Sequence, residues 1–368
     1  MIKKYKLIWI VGLVIALIAG FFIWRDMHPA NAPSAFGINV SHAVGIAAGG
    51  ELSKMSTSTL NAELDQMVSL GITWVRFDVE WGDVQYSSSS TTSSTWASYD
   101  ALISALAAHH LNGLGVITFT PMWARVPGCS GGVECPPADP NTFATFAAEV
   151  AARYKSDGIH YWEIWNEPNN FNFWATKVDC GAYTSLLKAT YPAIKKADPS
   201  AVVITGGLSP QATNGISMSP TDFLSCVYND GGKNYFDAVG DHPYIFPNTP
   251  SADTAGAWAQ MSLTTPSLRS IMTANGDANK KIWLTEFGAP TNGPDPHWYV
   301  SESTQAAQVT DAMILYRGYP WAGPIFWYTW QDGGTATSTN ENFFGLIRAD
   351  GSTKPAYTTL QNVIKAGL

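Results

Sequence analysis

Two glutamates stand where they could act together as a catalytic pair. Glu167 lies in segment 165–168, which reads Trp-Asn-Glu-Pro, and Glu286 lies in segment 284–288, which reads Leu-Thr-Glu-Phe-Gly. Each follows an apolar run that predicts a buried strand, where an ionised carboxylate is costly unless it is paired or faces a cavity. Two facing carboxyl groups can cleave a glycosidic bond by double displacement through a covalent glycosyl-enzyme. The pattern therefore predicts Glu167 as general acid/base and Glu286 as nucleophile.

Polar residues that close other predicted strands could assist this pair. Asn166 can hydrogen-bond the 2-hydroxyl of a bound sugar, a contact that strengthens in the transition state. Arg76 can keep Glu286 ionised, because a fixed positive charge lowers the pKa of a neighbouring carboxylate. Tyr244 or His242 can donate a further hydrogen bond to Glu286. The same sequence is compatible with a structural ion pair for Arg76 and a core position for His242.

Aromatic residues near the strand ends are candidates for sugar contacts. Flat apolar faces suit the C–H faces of sugar rings, and Trp330 and Trp123 are predicted to provide them, with Trp81 and Trp174 as further candidates. Most of the fifteen tryptophans are expected to pack in the barrel or against its helices.

The elements that must position these residues alternate along the chain. Strands are predicted at Phe36–Val40, Trp74–Val79, Gly115–Thr120, Tyr161–Trp165, Val202–Thr205, Ala238–His242, Lys281–Thr285 and Pro324–Tyr328. Helices are predicted at Thr59–Leu70, Tyr99–Leu111, Thr142–Tyr154, Gly181–Lys196, Thr221–Tyr228, Leu263–Ala274, Thr304–Tyr316 and Ala356–Lys365. Eight repeats without a Gly-rich phosphate loop after the first strand predict an α/β fold, a (β/α)8 TIM barrel, with its active site at the carboxyl ends of the strands.

The N-terminus carries a predicted membrane segment. The run Leu7–Trp24 holds eighteen residues without a charge, which approaches the ~20 residues that span a bilayer. Lys3, Lys4 and Lys6 precede it, so the positive-inside rule places the rest of the chain outside the cytoplasm. We expect an uncleaved anchor. The alternative is a signal peptide that is removed near residues 30–32, followed by secretion.

Three regions follow from this interpretation. Residues 1–24 form the anchor or signal peptide, residues 25–34 a linker, and residues 35–368 the barrel domain. Within that domain, the serine-rich stretch Ser87–Ser94 predicts a solvated loop.

Four cysteines, Cys129, Cys135, Cys180 and Cys226, follow the apolar run and therefore lie in a compartment where disulfides persist. The short loop between the first two favours their pairing, which leaves the last two to form a second disulfide. Free buried thiols are the alternative. No CxxC pair and no suitably spaced histidine accompanies them, so zinc is not predicted.

Charge and motifs exclude several classes of partner. The formal charge is −8 and only 14% of residues are charged, so no basic surface for nucleic acid is expected. The chain lacks GxSxG, HExxH and P-loop motifs, and neither a cofactor nor a metal is predicted. The predicted partners are an oligo- or polysaccharide and, through the N-terminal segment, a membrane. The oligomeric state stays open.

Around the two glutamates the sequence resembles the clan A retaining glycoside hydrolases over residues 35–368. The match implies the roles given above for Glu167 and Glu286, with supporting positions at the residues already named. Segments 37–40 (Gly-Ile-Asn-Val), 74–81 (Trp-Val-Arg-Phe-Asp-Val-Glu-Trp) and 162–169 (Trp-Glu-Ile-Trp-Asn-Glu-Pro-Asn) look most like glycoside hydrolase family 39, and families 5 and 51 share the same frame.

Two other functions are compatible with this frame. One is a catalytically silent glycan-binding protein, and the other is a transglycosylase in which a sugar hydroxyl replaces water. The identity of the sugar, the anomeric configuration and internal against terminal cleavage are open at this stage.

Overall fold

A computed structural model describes residues 42–90 and 93–367 of the chain. The apolar run Leu7–Trp24, the linker 25–34 and the predicted strand Phe36–Val40 lie outside these residues. Within the part that is described, no helix is long and apolar enough to cross a membrane.

Eight parallel strands form a closed barrel in which each strand pairs with the next along the chain and the last pairs with the first. The strands are β1 (Val44–Ala47), β2 (Trp74–Glu80), β3 (Asn112–Thr118), β4 (Tyr161–Ile164), β5 (Val202–Thr205), β6 (Ala238–Asp241), β7 (Lys281–Phe287) and β8 (Ala322–Tyr328). Helices cover the barrel, so most strand residues are buried on both faces, as expected for a parallel sheet.

The described α-helices are α1 (Thr57–Leu70), α2 (Trp81–Val84), α3 (Ser93–Ala108), α4 (Pro140–Tyr154), α5 (Cys180–Ala197), α6 (Pro220–Asn229), α7 (Ala257–Gln260), α8 (Leu268–Ala274), α9 (Glu302–Arg317) and α10 (Pro355–Lys365). Local signals define their ends. Ser56 caps α1 by accepting from the backbone N–H of Thr59, and Gly71 ends that helix in the left-handed region at φ 107°.

The predicted (β/α)8 barrel is confirmed, and seven predicted strands coincide with β2 to β8 to within a few residues at each end. The first described strand of the barrel is Val44–Ala47, whereas the strand predicted at Phe36–Val40 lies outside the described residues. This strand has four residues, in which the β-branched Val44 and Ile46 alternate with the small Gly45 and Ala47. A Cβ at Gly45 would lie 2.4 Å from the ring of Phe326, so the glycine is required for close packing at this strand.

Two predicted helices also differ in extent. The helix predicted over Tyr99–Leu111 is α3, which runs from Ser93 to Ala108 and so includes the end of the predicted serine-rich loop. The sequence predicted a helix over Leu263–Ala274, whereas α8 begins at Leu268. Pro266 cannot donate a backbone hydrogen bond within a helix, and Ser267 then caps the new start through the N–H of Ser270.

Two disulfides link residues outside the barrel strands. Cys129 pairs with Cys135 in the loop after β3, and Cys180 at the start of α5 pairs with Cys226 in α6. Both predicted pairings are confirmed.

Candidate active site

A cleft of about 930 Å³ opens at the carboxyl ends of the strands. Glu167, just after β4, and Glu286, near the end of β7, both line it and are only 8% and 9% exposed. A carboxylate oxygen of Glu167, one of Glu286 and a ring nitrogen of His242 all lie within 4.8 Å of one another. The closed barrel thus brings together two glutamates that are 119 positions apart.

Glu286 lies in a strongly polar environment. Its Oε1 accepts from Arg76 Nη1 at 2.6 Å, and its Oε2 accepts from the Tyr244 hydroxyl at 2.7 Å and lies 3.6 Å from His242 Nδ1. Burial by itself would raise the pKa of this carboxyl, but the charges of His242 and Arg76 and the two hydrogen bonds outweigh burial and lower it. Glu286 is therefore held as the carboxylate.

Glu167 has different partners. Asn170 Nδ2 donates to its Oε2 at 2.8 Å, and His242 Nδ1 lies 3.1 Å from its Oε1. Its backbone has φ 45°, and that of Trp165 has φ 72°, both in the left-handed region that side-chain-bearing residues rarely adopt. Such strain persists where the surrounding structure requires it, and here it turns the chain so that Glu167 faces the cleft.

His242 connects the two glutamates. It is fully buried and lies against both carboxyl groups through the same ring nitrogen. Burial lowers the pKa of its imidazole, whereas Glu286 and Glu167 raise it, and the balance is a raised pKa. A protonated His242 would add a second positive charge, beside that of Arg76, to the environment of Glu286.

Glu163 is a site residue that sequence reasoning missed. It is fully buried in β4 and accepts from Arg76 Nε at 2.8 Å, Arg76 Nη2 at 3.1 Å and the Gly207 N–H at 2.7 Å. Arg76 Nη2 also donates to Asn166 Oδ1 at 2.8 Å. Arg76 is therefore shared between the carboxylates of Glu163 and Glu286. The single Glu within the apolar strand β4 was the sequence signal that could have indicated the role of Glu163.

Several other cleft residues were not predicted from the sequence. They are Asp78 on β2, Asn170 after β4, Tyr328 at the end of β8, and Glu341 in the following loop. The alternation of β2 places Asp78 on the same face as Arg76, and this was the available signal. Glu341 lies too far from its strand for any pattern to indicate it.

Of the two tryptophans predicted to contact sugar, one borders the cleft and the other does not. Trp330 borders the cleft but is only 3% exposed; its indole N–H donates to Glu63, and its ring packs on Tyr357. Trp123 packs edge-on against Trp81 and donates to the backbone oxygen of Gln85, and it is not among the described residues that line the cleft.

Trp81 and Trp174, the further candidates for sugar contacts, are fully buried. Other aromatic residues line the cleft. The aromatic residues that line the cleft, besides Trp330, are Phe119, Phe173, Tyr244, Phe246, Tyr328 and Phe344. Several of these come from loops, where no strand pattern announces them.

Two groups of described residues have donors close enough together to hold a metal ion, and one of them is Glu167, His242 and Glu286. Arg76 and Tyr244 already occupy the oxygens of Glu286, and Asn170 occupies one oxygen of Glu167. The other group is Cys180, Cys226 and Asp230, in which both sulfurs are in the disulfide.

A (β/α)8 barrel that brings two buried glutamates together after β4 and on β7 defines the class of clan A glycoside hydrolases. Residues 36–333 match the model of the family described as Cellulase (glycosyl hydrolase family 5). The chain belongs to this family of glycosyl hydrolases. The narrower resemblance to family 39 is not confirmed. No curated protein matches the sequence significantly.

Solved structures share the fold at low sequence identity. A family 39 glycoside hydrolase from Bacteroides cellulosilyticus WH2 has a TM-score of 0.67 at 22% identity, over 87% of this chain and 62% of that one. A monomeric beta-xylosidase from Caulobacter crescentus CB15 has a TM-score of 0.66 at 19% identity, over 89% of this chain and 68% of that one. GH5_18 from Streptomyces cattleya, in complex with GlcNAc, has a TM-score of 0.67 at 17% identity, over 89% of this chain and 80% of that one. This chain thus spans less than two thirds of the length of the first.

Proposed function

We propose that this protein is a retaining glycosidase that cleaves an oligo- or polysaccharide by double displacement, with Glu286 as nucleophile and Glu167 as general acid/base. The observation that carries the proposal is the approach of the two carboxyl groups, whose oxygens lie within 4.8 Å. Retaining enzymes hold these groups ~5–5.5 Å apart, whereas inverting enzymes leave ~6.5–9.5 Å for a water molecule.

The surroundings of the two glutamates support the same division of roles. Arg76 and Tyr244 keep Glu286 ionised, as a nucleophile requires. Glu167 receives no such cation except through His242, and its partner Asn170 is neutral. In the first step Glu286 attacks the anomeric carbon while Glu167 protonates the leaving oxygen; in the second, Glu167 takes a proton from the attacking water.

The loss of charge at Glu286 couples the two steps. Once Glu286 becomes an ester, one negative charge disappears beside His242, which also contacts Glu167. His242 Nδ1 then faces Glu167 alone, with Glu163 4.0 Å from its Nε2, and Glu167 no longer lies beside a second negative charge when it must act as a base. Asn166, held by Arg76 at 2.8 Å, is placed to bind the sugar hydroxyl next to the anomeric carbon.

The substrate is proposed to be a glycan met outside the cytoplasm. The two disulfides fit an oxidising compartment, and they support export by the N-terminal segment, either as an anchor or as a cleaved signal. The solved relatives include a beta-xylosidase and an exo-beta-1,4-mannosidase, which makes β-linked sugars the first substrates to assay.

Replacement of the two glutamates tests the mechanism. Glu286→Gln is expected to lower kcat by at least about 10⁴-fold on every substrate, because the covalent intermediate cannot form. Glu167→Ala is expected to retain the first step on 2,4-dinitrophenyl glycosides, whose leaving group needs no acid, and to be accelerated by added azide. The measurement is steady-state hydrolysis of aryl β-glucosides, β-xylosides and β-mannosides, with analysis of the azide product.

The stereochemistry of the products decides between mechanisms. Proton NMR during hydrolysis should show the first-formed sugar with the configuration of the substrate. Inverted configuration, or equal residual activity in the two variants, would contradict the assigned roles. Binding of glycan without any release of sugar would favour the silent glycan-binding alternative, and transfer to an added alcohol in preference to water would favour the transglycosylase.

A further inference from the structure

Asp78 presents a carboxyl group without a partner to the cleft. It is two residues after Arg76 on β2, so both side chains point to the inside of the barrel mouth. Asp78 is half-buried and lines the cleft together with Glu286. Its backbone N–H donates to Gly49, but in the described part of the chain its carboxyl oxygens have no hydrogen-bond partner.

The nearby arginine does not satisfy Asp78. The Arg76 guanidinium donates to Glu163, Glu286 and Asn166. Burial raises the pKa of Asp78 to about 7, with Arg76 opposing the rise and Glu286 adding to it. A carboxyl of this kind can donate as well as accept a hydrogen bond near neutral pH.

The space in front of Asp78 is left open by glycine. Gly49 and Gly50 line the cleft beside it, and a Cβ at Gly49, whose φ is 58°, would lie in van der Waals contact with Asp78 Oδ2, at 3.8 Å. The Tyr328 ring also lines this part of the cleft. Burial, followed by the negative charges of Glu341, Glu286 and Asp78, raises the pKa of Tyr328 well above its usual value.

We propose that Asp78 is a substrate-binding residue that hydrogen-bonds a hydroxyl group of the sugar attacked by Glu286, and that it selects neutral sugars over uronic acids at this position. The inference rests on the proposed function for the identity of that sugar. A sugar hydroxyl both donates and accepts, which matches a carboxyl without a partner.

Charge accounts for the selection against uronic acids. A sugar carboxylate would lie near Asp78, Glu286 and Glu341. Arg76, the one cation among the described residues that line the cleft, is already paired. Above pH 7, where Asp78 with its pKa of about 7 is ionised, like charges disfavour the sugar carboxylate, so the same residue that binds the neutral sugar also excludes the acidic one.

Hydroxyl deletion tests the contact. The parent substrate is the 4-nitrophenyl glycoside, among the β-glucoside, β-mannoside, β-galactoside and β-xyloside, that the enzyme cleaves fastest, and it is compared with its monodeoxy derivatives. Asp78→Ala should lower kcat/KM on the parent by about 10- to 100-fold. One monodeoxy derivative should be cleaved equally well by both proteins, because the contacted hydroxyl is already missing. An equal loss on the parent and on every derivative, or no loss on the parent, would overturn the proposal.

Asp78→Asn tests the charge. This variant keeps the shape of the side chain. Above pH 7, the ratio of kcat/KM for the parent glycoside to that for its uronide, which is the β-glucuronide where the parent is the β-xyloside, should fall by about tenfold. An unchanged ratio would contradict the selection. Asp65→Asn, on the exposed surface of α1, serves as the matched control and should leave this ratio unchanged.

A binding measurement distinguishes failure of this inference from failure of the proposed reaction. Titration calorimetry with cellohexaose, xylohexaose and mannohexaose is performed on Glu286→Gln and on Glu286→Gln/Asp78→Ala. Weaker binding in the double variant supports the contact even if the wild type hydrolyses nothing, in which case the proposed reaction fails alone. Equal binding in the two variants, with binding detectable, overturns the contact whatever the activity.

Discussion

The two glutamates illustrate how the same residue type acquires different properties. Glu286 contacts a guanidinium and a phenol hydroxyl, whereas Glu167 contacts an amide and shares an imidazole with its counterpart. The hydrogen bond from Tyr244 is one of the interactions that lower the pKa of Glu286. A change at this residue should therefore be visible in the pH dependence of the reaction.

Tyr244→Phe is expected to move the acidic limb of the kcat/KM profile to higher pH. The pKa of Glu286 is lowered in the folded protein, and loss of a donor raises it again, so a higher pH is needed to ionise this proposed nucleophile. We also expect kcat/KM at the optimum to fall by about 10-fold or more, as for loss of a hydrogen bond to a charged group. Tyr357→Phe, on α10, is the control. A profile that keeps its acidic limb in place would contradict the role of Tyr244.

At the scale of elements, one buried cation hydrogen-bonds residues of both loops that follow β7 and β8. Lys354, which precedes α10 and is 1% exposed, donates to Asp332 Oδ1 at 2.7 Å, to Thr291 Oγ1 at 2.9 Å and to the backbone oxygen of Phe343 at 2.9 Å. Asp332 lines the cleft. The ammonium group therefore positions two loops that shape the substrate site.

Lys354→Met should lower the free energy of unfolding by ~3–5 kcal/mol, because it leaves the Asp332 carboxylate buried without its partner. Urea denaturation followed by tryptophan fluorescence measures this change. Lys365→Met, at the exposed end of α10, is expected to have an effect within about 0.5 kcal/mol. Equal stability of the two variants would show that Asp332 is satisfied by other groups.

For the molecule as a whole, the disulfides constrain unequal lengths of chain. Cys180 and Cys226 are 46 positions apart, whereas Cys129 and Cys135 are 6 apart. The longer loop has more conformational entropy in the unfolded state, so closing it stabilises the folded protein more. It also joins two consecutive barrel helices, whereas the shorter one lies within a single loop.

Replacement of Cys180 and Cys226 by serine should lower the free energy of unfolding by about 4 kcal/mol, and replacement of Cys129 and Cys135 by about 2 kcal/mol, from the loop-closure relation. Chemical denaturation of the oxidised proteins tests the order. A larger loss from the shorter loop would mean that its native contacts, and not chain entropy, dominate. The double serine variants also serve as controls for one another, since each retains one disulfide.

The sequence by itself determined the barrel and the identity of the carboxyl pair. Period-two and helical patterns are local, and parallel strands must present their carboxyl ends at one edge, so Glu167 and Glu286 could be placed at the same mouth without coordinates. Local patterns did not indicate β1, a four-residue strand whose Gly45 packs against Phe326, or the start of α8, where Pro266 shortens a helix.

Only the tertiary structure decided which groups surround the pair. Glu163 shares Arg76 with Glu286, His242 touches both glutamates, and Tyr328 lines the cleft, while Trp330 at the border of the cleft is buried against Tyr357. These outcomes depend on distances between residues far apart in the chain and on the direction of each side chain. Neither quantity has a local signature, since the burial of a charge and the identity of its partner are set when the eight strands close.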